Sequence, residues 1–360
     1  MRRETGGNGQ FHGQMGKMSD FSIFDGHNDL LSCLWAEKSF GGAAFFSGRD
    51  GDLDLAKCRA GGFAGGFFAV WVGGGPGTGP DPMATYREFP AIDAVRAERQ
   101  TLEQIAILLR MERARPDAIR LCRTVAEIAN ARAAGAIAAI LHIEGVEGIA
   151  ANLDALHVFY AAGLRSLGPV WSRSNIFGHG VPFNFPASPD TGPGLTEAGL
   201  RLVRECDALG VLLDLSHLNE AGFWDVARVS GKPLVATHSN AHAVTASTRN
   251  LTDKQLAAIK DSGGLVGLNY GCAFIRQDGI KNPATGPEDM LRHLDHLLAH
   301  LGEDGVALGS DFDGTMIPNF ISDASGLPKL TAALEAHYGA ALTEKLCWSN
   351  WQGLLARVIG

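Results

Sequence analysis

S-I-F-D-G-H-N-D, residues 22–29, is the stretch on which the fold prediction rests. The apolar segment at 21–24 is typical of a buried β-strand, and polar residues follow it at once. Side chains two residues apart in an extended chain point the same way, so His27 and Asp29 would lie side by side at the strand end. An imidazole beside a carboxylate suits a divalent metal such as zinc. A surface turn with a solvated His and Asp is the alternative for this stretch alone.

Seven more short apolar segments follow along the chain, at 65–72, 136–143, 164–170, 211–215, 233–236, 264–268 and 305–308. Helix-like patterns separate them, at 96–113, 124–134, 152–162, 196–209, 221–229, 252–262 and 288–301. Near-continuous apolar strands that alternate with helices indicate parallel strands covered by helices. Eight such units favour a closed (β/α)8 barrel of the TIM type over an open doubly wound sheet. The predicted class is therefore α/β, with the active site at the C-terminal ends of the strands.

Helix ends and loops carry local signals of their own. Thr252 with Gln255 three residues on predicts a capping box, and Thr196 predicts a second N-cap. Long irregular stretches at 73–82, 175–194 and 313–328 each follow a predicted strand. In a barrel these loops fall on the face that carries the active site, where they would serve as lids or binding loops.

The composition limits the class of protein and of partner. Of the 360 residues, 46% are hydrophobic and 19% charged, ample for a large core, and residues 21–360 are predicted to form one domain. A net charge of −8 without a basic cluster argues against a nucleic-acid surface. Six scattered cysteines without C-x-x-C spacing are typical of reduced, buried thiols, although disulfides are neither required nor excluded.

The N-terminal segment predicts no targeting to a membrane. Residues 1–20, rich in Gly and charge, are predicted to be a disordered leader, and they lack the apolar centre of a secretory signal. No apolar segment approaches the roughly 20 residues of a membrane span. A cytoplasmic protein without a membrane partner is the prediction.

Side chains that can bind metal follow five of the eight predicted strands. The six candidate ligands are His27, Asp29, Glu144, His217, His238 and Asp311, and Asp313 lies two residues further on. Any one of them alone is more often structural, but the strand ends of a barrel meet at one face. Six ligands are too many for one tetrahedral site and suit two cations bridged by a shared carboxylate. Such a pair activates water for hydrolysis.

Other polar residues have simpler interpretations. His293, His296 and His300 share one face of a helix on the outside of the barrel, where we expect them to be solvated or packed. His142 precedes Glu144 by two residues and would support the ligands at most. Arg249 would hold a substrate carboxylate if it lies beside the metals, and it is otherwise a surface arginine paired with an acid.

Five motifs together resemble the renal (membrane) dipeptidase family, the dinuclear zinc peptidases of the amidohydrolase type. The motifs are D-G-H-N-D-L at 25–30, I-E-G at 143–145, D-L-S-H at 214–217, T-H-S-N…S-T-R-N at 237–250 and G-S-D-F-D-G at 309–314. The similarity extends from about residue 20 to about residue 355 in the family's order and spacing.

The resemblance implies a role for each matching position. His27 and Asp29 would bind one zinc, with Asp311 close to it, and Glu144 would bridge to a second zinc. His217 and His238 would complete that second zinc site. Asp311 would also take the proton from the attacking metal-bridging hydroxide and pass it to the leaving amine. Arg249 would hold the C-terminal carboxylate of a dipeptide substrate.

The family cleaves dipeptides, including those with a D-configured C-terminal residue, and some members open β-lactam rings. Mammalian members carry a further histidine after the fourth strand, and Trp171 stands at that position here. Either Arg173 or His179 replaces the missing contact, or the second metal acts alone. Trp171, Arg173 and Tyr270 join Arg249 as predicted substrate contacts.

The sequence leaves two alternatives to a dipeptidase open. It also leaves open whether the protein forms a homodimer. One is another hydrolase on the same barrel, acting on a lactone, a β-lactam or another amide. Many such relatives bridge their metals with a carbamylated lysine, and no lysine lies near a predicted strand end. The other is a barrel that binds ligands without catalysis, which usually loses metal ligands, whereas all six are present.

Overall fold

A computed structural model describes residues 21–73 and 89–360. The strands are β1 Ile23–Asn28, β2 Phe63–Trp71, β3 Ile119–Leu121, β4 Ile137–Glu144, β5 Leu164–Gly168, β6 Leu212–Leu213, β7 Val235–Ser239, β8 Leu265–Leu268 and β9 Val306–Leu308. The α-helices are α1 Leu30–Ala36, α2 Ala43–Ser47, α3 Leu55–Gly61, α4 Ala94–Ala114, α5 Val125–Ala133, α6 Asp154–Ala162, α7 Glu197–Leu209, α8 Glu220–Val229, α9 Asp253–Asp261, α10 Cys272–Ile275, α11 Pro287–Leu301, α12 Leu327–Glu344 and α13 Asn350–Val358. A π-helical turn, Lys345–Ser349, joins the last two.

The strands are parallel and form a ring. One sheet has the order β1-β2-β4-β5-β6 and the other β7-β8-β9. The bridge from Asp214 to Val235 joins β6 to β7, and the bridge from Asn28 to Phe312 joins β1 to the chain that leaves β9. The prediction of a (β/α)8 TIM-type barrel is therefore confirmed.

All eight predicted strands are present, with shifted ends. The first begins two residues later and runs on to Asn28, so His27 lies within β1 rather than in a loop after it. The short strand β3 was not predicted and pairs with β4 outside the ring. Its three residues, I-R-L, are too few to show a pattern in the sequence.

Large apolar side chains fill the lower part of the barrel. Phe24, Phe67, Ile140 and Leu265 come from different strands and share one buried cluster with Trp351 of α13. The Trp351 indole packs 5.0 Å from the Phe67 ring, and its Nε1 donates to the Leu308 carbonyl over 2.9 Å. The C-terminal helix α13 thus closes one end of the barrel, and only the opposite end is left for a functional site.

Gly26 makes this close packing sterically feasible. A Cβ at that position would lie 2.2 Å from the Thr237 carbonyl oxygen and 2.7 Å from the Trp351 ring. Neither neighbour has room to retreat, because both are buried in the barrel. The glycine in D-G-H-N-D therefore serves packing, while its neighbours serve the site.

The helix caps agree with the sequence. Thr252 and Gln255 form the predicted capping box of α9, and Thr196 caps α7 through the Gly199 N–H. Each cap satisfies N–H groups that have no partner inside the helix. No helix among the described residues is long and apolar enough to cross a membrane.

Two predictions about the organisation of the chain stay predictions. The predicted disordered leader, residues 1–20, lies outside the described residues, as do residues 74–82 of the loop after β2. The single domain over 21–360 is the other. The six cysteines are free, five of them buried and Cys33 half-buried.

Candidate metal centre

Glu144 is the point where the predicted ligands meet. Its Oε1 lies 2.8 Å from His217 Nε2 and 3.2 Å from His238 Nε2. The same oxygen lies 3.7 Å from His27 Nε2, and all four side chains are buried. The β1, β4 and β7 strands supply His27, Glu144 and His238, and His217 follows β6.

A second group of ligand atoms shares Glu144 with the first. His27 Nε2 lies 3.4 Å from Asp29 Oδ2, and these two residues form a potential metal site with Glu144. Asp311 approaches from the chain after β9 and forms another such group with His27 and His238. The structure thus brings together all six predicted ligands in three overlapping groups, two of which contain Glu144.

Asp311 is held in an uncommon backbone conformation. Its φ of 62° lies in the left-handed region, where aspartate is one of the few residues found regularly. The preceding Ser310 donates from its N–H and its hydroxyl to Asp25, and Asn269 Nδ2 donates to Asp311 Oδ2 over 2.8 Å. Gly314 leaves room, because a Cβ there would lie 2.5 Å from Asp311 Oδ1.

Hydroxyl groups orient two of the imidazoles. Ser172 Oγ lies 2.8 Å from His217 Nδ1, and Thr237 Oγ1 lies 2.8 Å from His238 Nδ1. Thr237 in turn donates to Asp214, which also accepts the Ser216 N–H and hydroxyl. Both histidines therefore direct Nε2 towards Glu144. Metal-binding histidines are commonly oriented in this way by a hydrogen bond at the other ring nitrogen.

The electrostatics of the cluster favour bound cations. Burial alone lowers the pKa of His27, but the charges of Glu144 and Asp29 outweigh it and raise that pKa to about 10. Burial raises the pKa of Glu144 well above its usual value. A buried group of carboxylates needs positive charge nearby, which either a protonated His27 or metal ions can supply.

The donor set fits metal ions. Both ring nitrogens of His27 are buried without a hydrogen-bond partner among the described residues, although Asp29 and Glu144 lie 3.4 and 3.7 Å from Nε2. Burial, Arg249 and His27 hold the pKa of His217 well below its usual value, which keeps its Nε2 lone pair available. Imidazole and carboxylate ligands arranged around a shared glutamate suit zinc-like cations.

Comparison with known proteins agrees with this geometry. The model of the membrane dipeptidase family, peptidase family M19, matches residues 16–359. The chain belongs to this family. It is accordingly a metallo-dipeptidase, a hydrolase of peptide bonds.

Individual relatives cover most of the dipeptidase chain. A Klebsiella pneumoniae protein of the pqqA 5′ region is 48% identical over 257 residues, 71% of this chain and 95% of its own. A Rhodobacter sphaeroides metallopeptidase, liganded with a phosphinate mimic of L-Ala-D-Ala, is 53% identical with a TM-score of 0.90, covering 94% of this chain and 99% of its own. The probable dipeptidase PvdM of Pseudomonas aeruginosa shares the fold at 23% identity, with a TM-score of 0.78 and coverage of 94% and 96%.

Arg249 lies beside the predicted metal ligands of the dipeptidase. Its guanidinium donates to the Ser216 and His238 carbonyls, and Nη2 lies 3.3 Å from His217 Nε2. The side chain is buried, and its Nε has no hydrogen-bond partner among the described residues. A buried cation with an unused donor offers a site for a carboxylate.

Mammalian members of the family have a further histidine where this chain has Trp171. The structure places Trp171, Arg173 and His179 in three different environments. The Trp171 ring lies 5.8 Å from the His217 ring, so it borders the predicted metal ligands. Arg173 donates from Nε to Glu147 and from Nη2 to the Val72 carbonyl. His179 lies further along the same loop, with Nδ1 2.9 Å from the Ser174 hydroxyl. A contact between substrate and either Arg173 or His179 stays a prediction.

Aromatic rings connect Trp171 to Arg249. The aromatic wall consists of Trp171, Phe183 and Phe274, whose successive ring centroids lie 5.7 and 6.0 Å apart. Arg249 packs over the last ring at 5.5 Å. Only Trp171 of this wall was predicted as a substrate contact, because Phe183 lies twelve residues further along the same loop and Phe274 comes from α10.

Tyr270 lies deeper than a substrate contact usually does. Its side chain is fully buried, and its ring packs edge-on against Phe312 at 5.8 Å. Burial raises the pKa of the phenol well above its usual value, and Asp25 adds to this effect. The contact with substrate stays a prediction, and a binding event would have to open this packing.

His142 has a structural role. His142 is buried below the ligands, with Nδ1 2.9 Å from the Ser166 hydroxyl and Nε2 3.7 Å from Asp214. Asp214, Thr237, Ser172 and Asn269 were not predicted to support the ligands. The one signal for Asp214 was a carboxylate inside the apolar segment V-L-L-D-L.

Proposed function

We propose that the protein is a two-zinc dipeptidase in which Glu144 bridges the cations. The observation that carries the proposal is the approach of three imidazole Nε2 atoms to within 3.7 Å of one Glu144 oxygen. His27 and Asp29 would bind one ion, and His217 and His238 the other. When bound, the two ions supply a water of lowered pKa and polarise the peptide carbonyl.

Asp311 is the proposed proton carrier. Asn269 occupies its Oδ2, which leaves Oδ1 directed towards the space that Gly314 provides. Burial raises the pKa of this carboxyl, although His27 and Asn269 lower it, so the group can accept a proton from the attacking water. The same proton then passes to the amine that leaves.

Arg249 is the proposed anchor for the substrate's C-terminal carboxylate. Its Nη2 lies 3.3 Å from His217 Nε2, so a dipeptide held at this arginine would place its peptide carbonyl at the metals. A longer peptide has its terminal carboxylate further from the scissile bond and fits less well. The aromatic wall beside the same arginine would contact the apolar part of the C-terminal residue.

The chirality of the C-terminal residue is part of the proposal. The Rhodobacter sphaeroides metallopeptidase, 53% identical, was solved with a mimic of L-Ala-D-Ala. We propose that this chain also accepts a D-configured C-terminal residue. The alternative hydrolases that depend on a carbamylated lysine are disfavoured because a glutamate, Glu144, is the residue that three imidazoles approach.

Metal content and substrate choice test the proposal together. The purified protein, equilibrated with zinc, should contain about two ions per chain, and should hydrolyse L-Ala-D-Ala and L-Ala-L-Ala. Lactones, phosphotriesters and dipeptide amides serve as comparison substrates. Fewer than one ion per chain with no dipeptide hydrolysis would refute the proposal.

A further inference from the structure

Three histidines on α11 have different surroundings. His293 faces inwards and is fully buried, with its ring nitrogens near the Ala241 N–H and the Ile275 carbonyl. His296 and His300 lie about one and two turns further along on the outer side, with side chains 23% and 34% exposed. Residues four apart on a helix are neighbours on one face, so these two rings lie together.

Asp253, the first residue of α9, reaches the same point from the neighbouring helix. Its Oδ1 lies 2.7 Å from His296 Nε2 and 3.8 Å from His300 Nε2. The two imidazoles stack with centroids 4.4 Å apart, so their Nε2 atoms face the same carboxylate. These three ligand atoms lie within 4.8 Å of one another and outside the metal centre.

We propose that Asp253, His296 and His300 bind a third cation, of the zinc class. Ligands about 2.0–2.2 Å from a tetrahedral ion lie roughly 3.3 Å from one another. The observed separations of 2.7 and 3.8 Å lie on either side of that value, so small side-chain rotations meet it. All three side chains are partly exposed and therefore free to rotate in this way.

The chemistry of the donors selects the ion. Two imidazoles and one carboxylate suit zinc, nickel or copper, whereas magnesium and calcium prefer oxygen ligands. Three protein ligands leave a position for water, so binding is expected to be weaker than in the buried centre. The bound ion would connect the start of α9 to the last two turns of α11 and stabilise that pair of helices.

The proposal does not depend on the dipeptidase mechanism. A plain hydrogen bond between His296 and Asp253 is the alternative, and the chain contains a matched example of one. His337 Nε2 lies 3.2 Å from Asp295 Oδ1 on the surface, and no second histidine joins that pair in the potential metal groups of the described residues. His337→Ala therefore removes an exposed His–Asp pair without affecting the proposed site.

Zinc titration of the holoenzyme tests the proposal. With the buried centre filled, the wild type should take up one further Zn²⁺ per chain in equilibrium dialysis at micromolar free zinc. His300→Ala and His296→Ala should each lose that ion, and His337→Ala should keep it. Zinc should also raise the melting temperature of the wild type and of H337A, but not of H300A.

A direct measurement of the ligands makes the result unambiguous. Cu²⁺ added to the zinc-filled enzyme should give an electron paramagnetic resonance spectrum with coupling to two nitrogens, reduced to one in H300A. Equal zinc uptake and equal thermal shifts in the wild type and H300A would overturn the proposal. Because each comparison is a difference between variants, a failure of the two-zinc dipeptidase assignment would not imitate this outcome.

Discussion

Thr237 donates its hydroxyl proton to Asp214, with Oγ1 2.7 Å from Oδ2. The hydroxyl has only one proton, so its oxygen must act as acceptor towards His238 Nδ1, 2.8 Å away. His238 then carries its proton on Nδ1 and presents a lone pair on Nε2 to the metal centre. Asp214 does not hydrogen-bond to His238 itself, but through Thr237 it determines which nitrogen of His238 carries the proton.

Replacing Thr237 by valine removes that acceptor while keeping the shape of the side chain. The affinity for the cation shared by Glu144, His217 and His238 should fall by about 10- to 100-fold. Competition with a chromophoric zinc chelator measures the change. Thr237→Ser keeps the hydroxyl and should bind almost as the wild type does, so equal losses in both variants would contradict the role of this hydrogen bond.

Replacing Asp311 by asparagine should abolish turnover while leaving metal bound. The amide keeps most of the shape but cannot accept the proton from the attacking water, and loss of a general base costs about 10²- to 10⁴-fold. Turnover of L-Ala-D-Ala and zinc content are measured on the same sample. Near-wild-type rates in D311N would refute the proposed proton carrier.

Replacing Arg249 by lysine should raise KM for dipeptides. A lysine keeps the charge but loses the planar pair of donors that matches a carboxylate. Charge-assisted hydrogen bonds contribute about 1.5–3 kcal/mol, so the rise should be roughly 10- to 100-fold. Dipeptide amides lack that carboxylate and form the control, since their kcat/KM should be nearly unchanged by the substitution.

Replacing Gly26 by alanine should destabilise the barrel. The new Cβ would meet the Thr237 carbonyl and the Trp351 ring, and overpacking of this kind costs about 1–3 kcal/mol. Urea denaturation gives the free energy of unfolding. Gly353 lies on α13, and a Cβ added there would meet no heavy atom of the described residues within 4 Å, so Gly353→Ala should instead stabilise by about 0.5–1 kcal/mol.

His293 should make the protein less stable in acid. Burial lowers its pKa to about 3, and its Nδ1 accepts the Ala241 N–H, which is impossible when that nitrogen is protonated. Between that value and the usual 6.5, the unfolded chain binds a proton that the folded chain does not. The stability contribution of neutral His293 is therefore complete above pH 6.5 and is lost as the pH falls towards 3.

The size of this effect follows from the distance between the two pKa values. From pH 7 to pH 5 the residue should remove about 2 kcal/mol from the free energy of unfolding. The glutamine in the His293→Gln variant does not titrate. The free energy of unfolding of this variant should therefore fall by about 2 kcal/mol less than that of the wild type over the same pH range. Parallel urea curves for the two proteins at the two pH values would contradict the expectation.

Much of the fold follows from the sequence, because parallel strands buried on both faces are nearly continuous in apolar residues. The segments 65–72 and 136–143 therefore predict β2 and β4 closely. The three-residue strand β3 leaves no such pattern, and its pairing with β4 is a tertiary contact. The floor of the barrel was also beyond prediction, because Trp351 reaches Phe24 and Phe67 from the far end of the chain.

For the site, the sequence by itself determined which side chains follow the strands, and a parallel barrel then requires their ends to meet. His27, Glu144 and His217 were predicted on that ground and lie together. Only the tertiary structure decided how they are held, since the links from Ser172 to His217 and from Asp214 through Thr237 join different strands. Hydrogen bonds depend on distances of a few tenths of an ångström, which residue spacing does not specify.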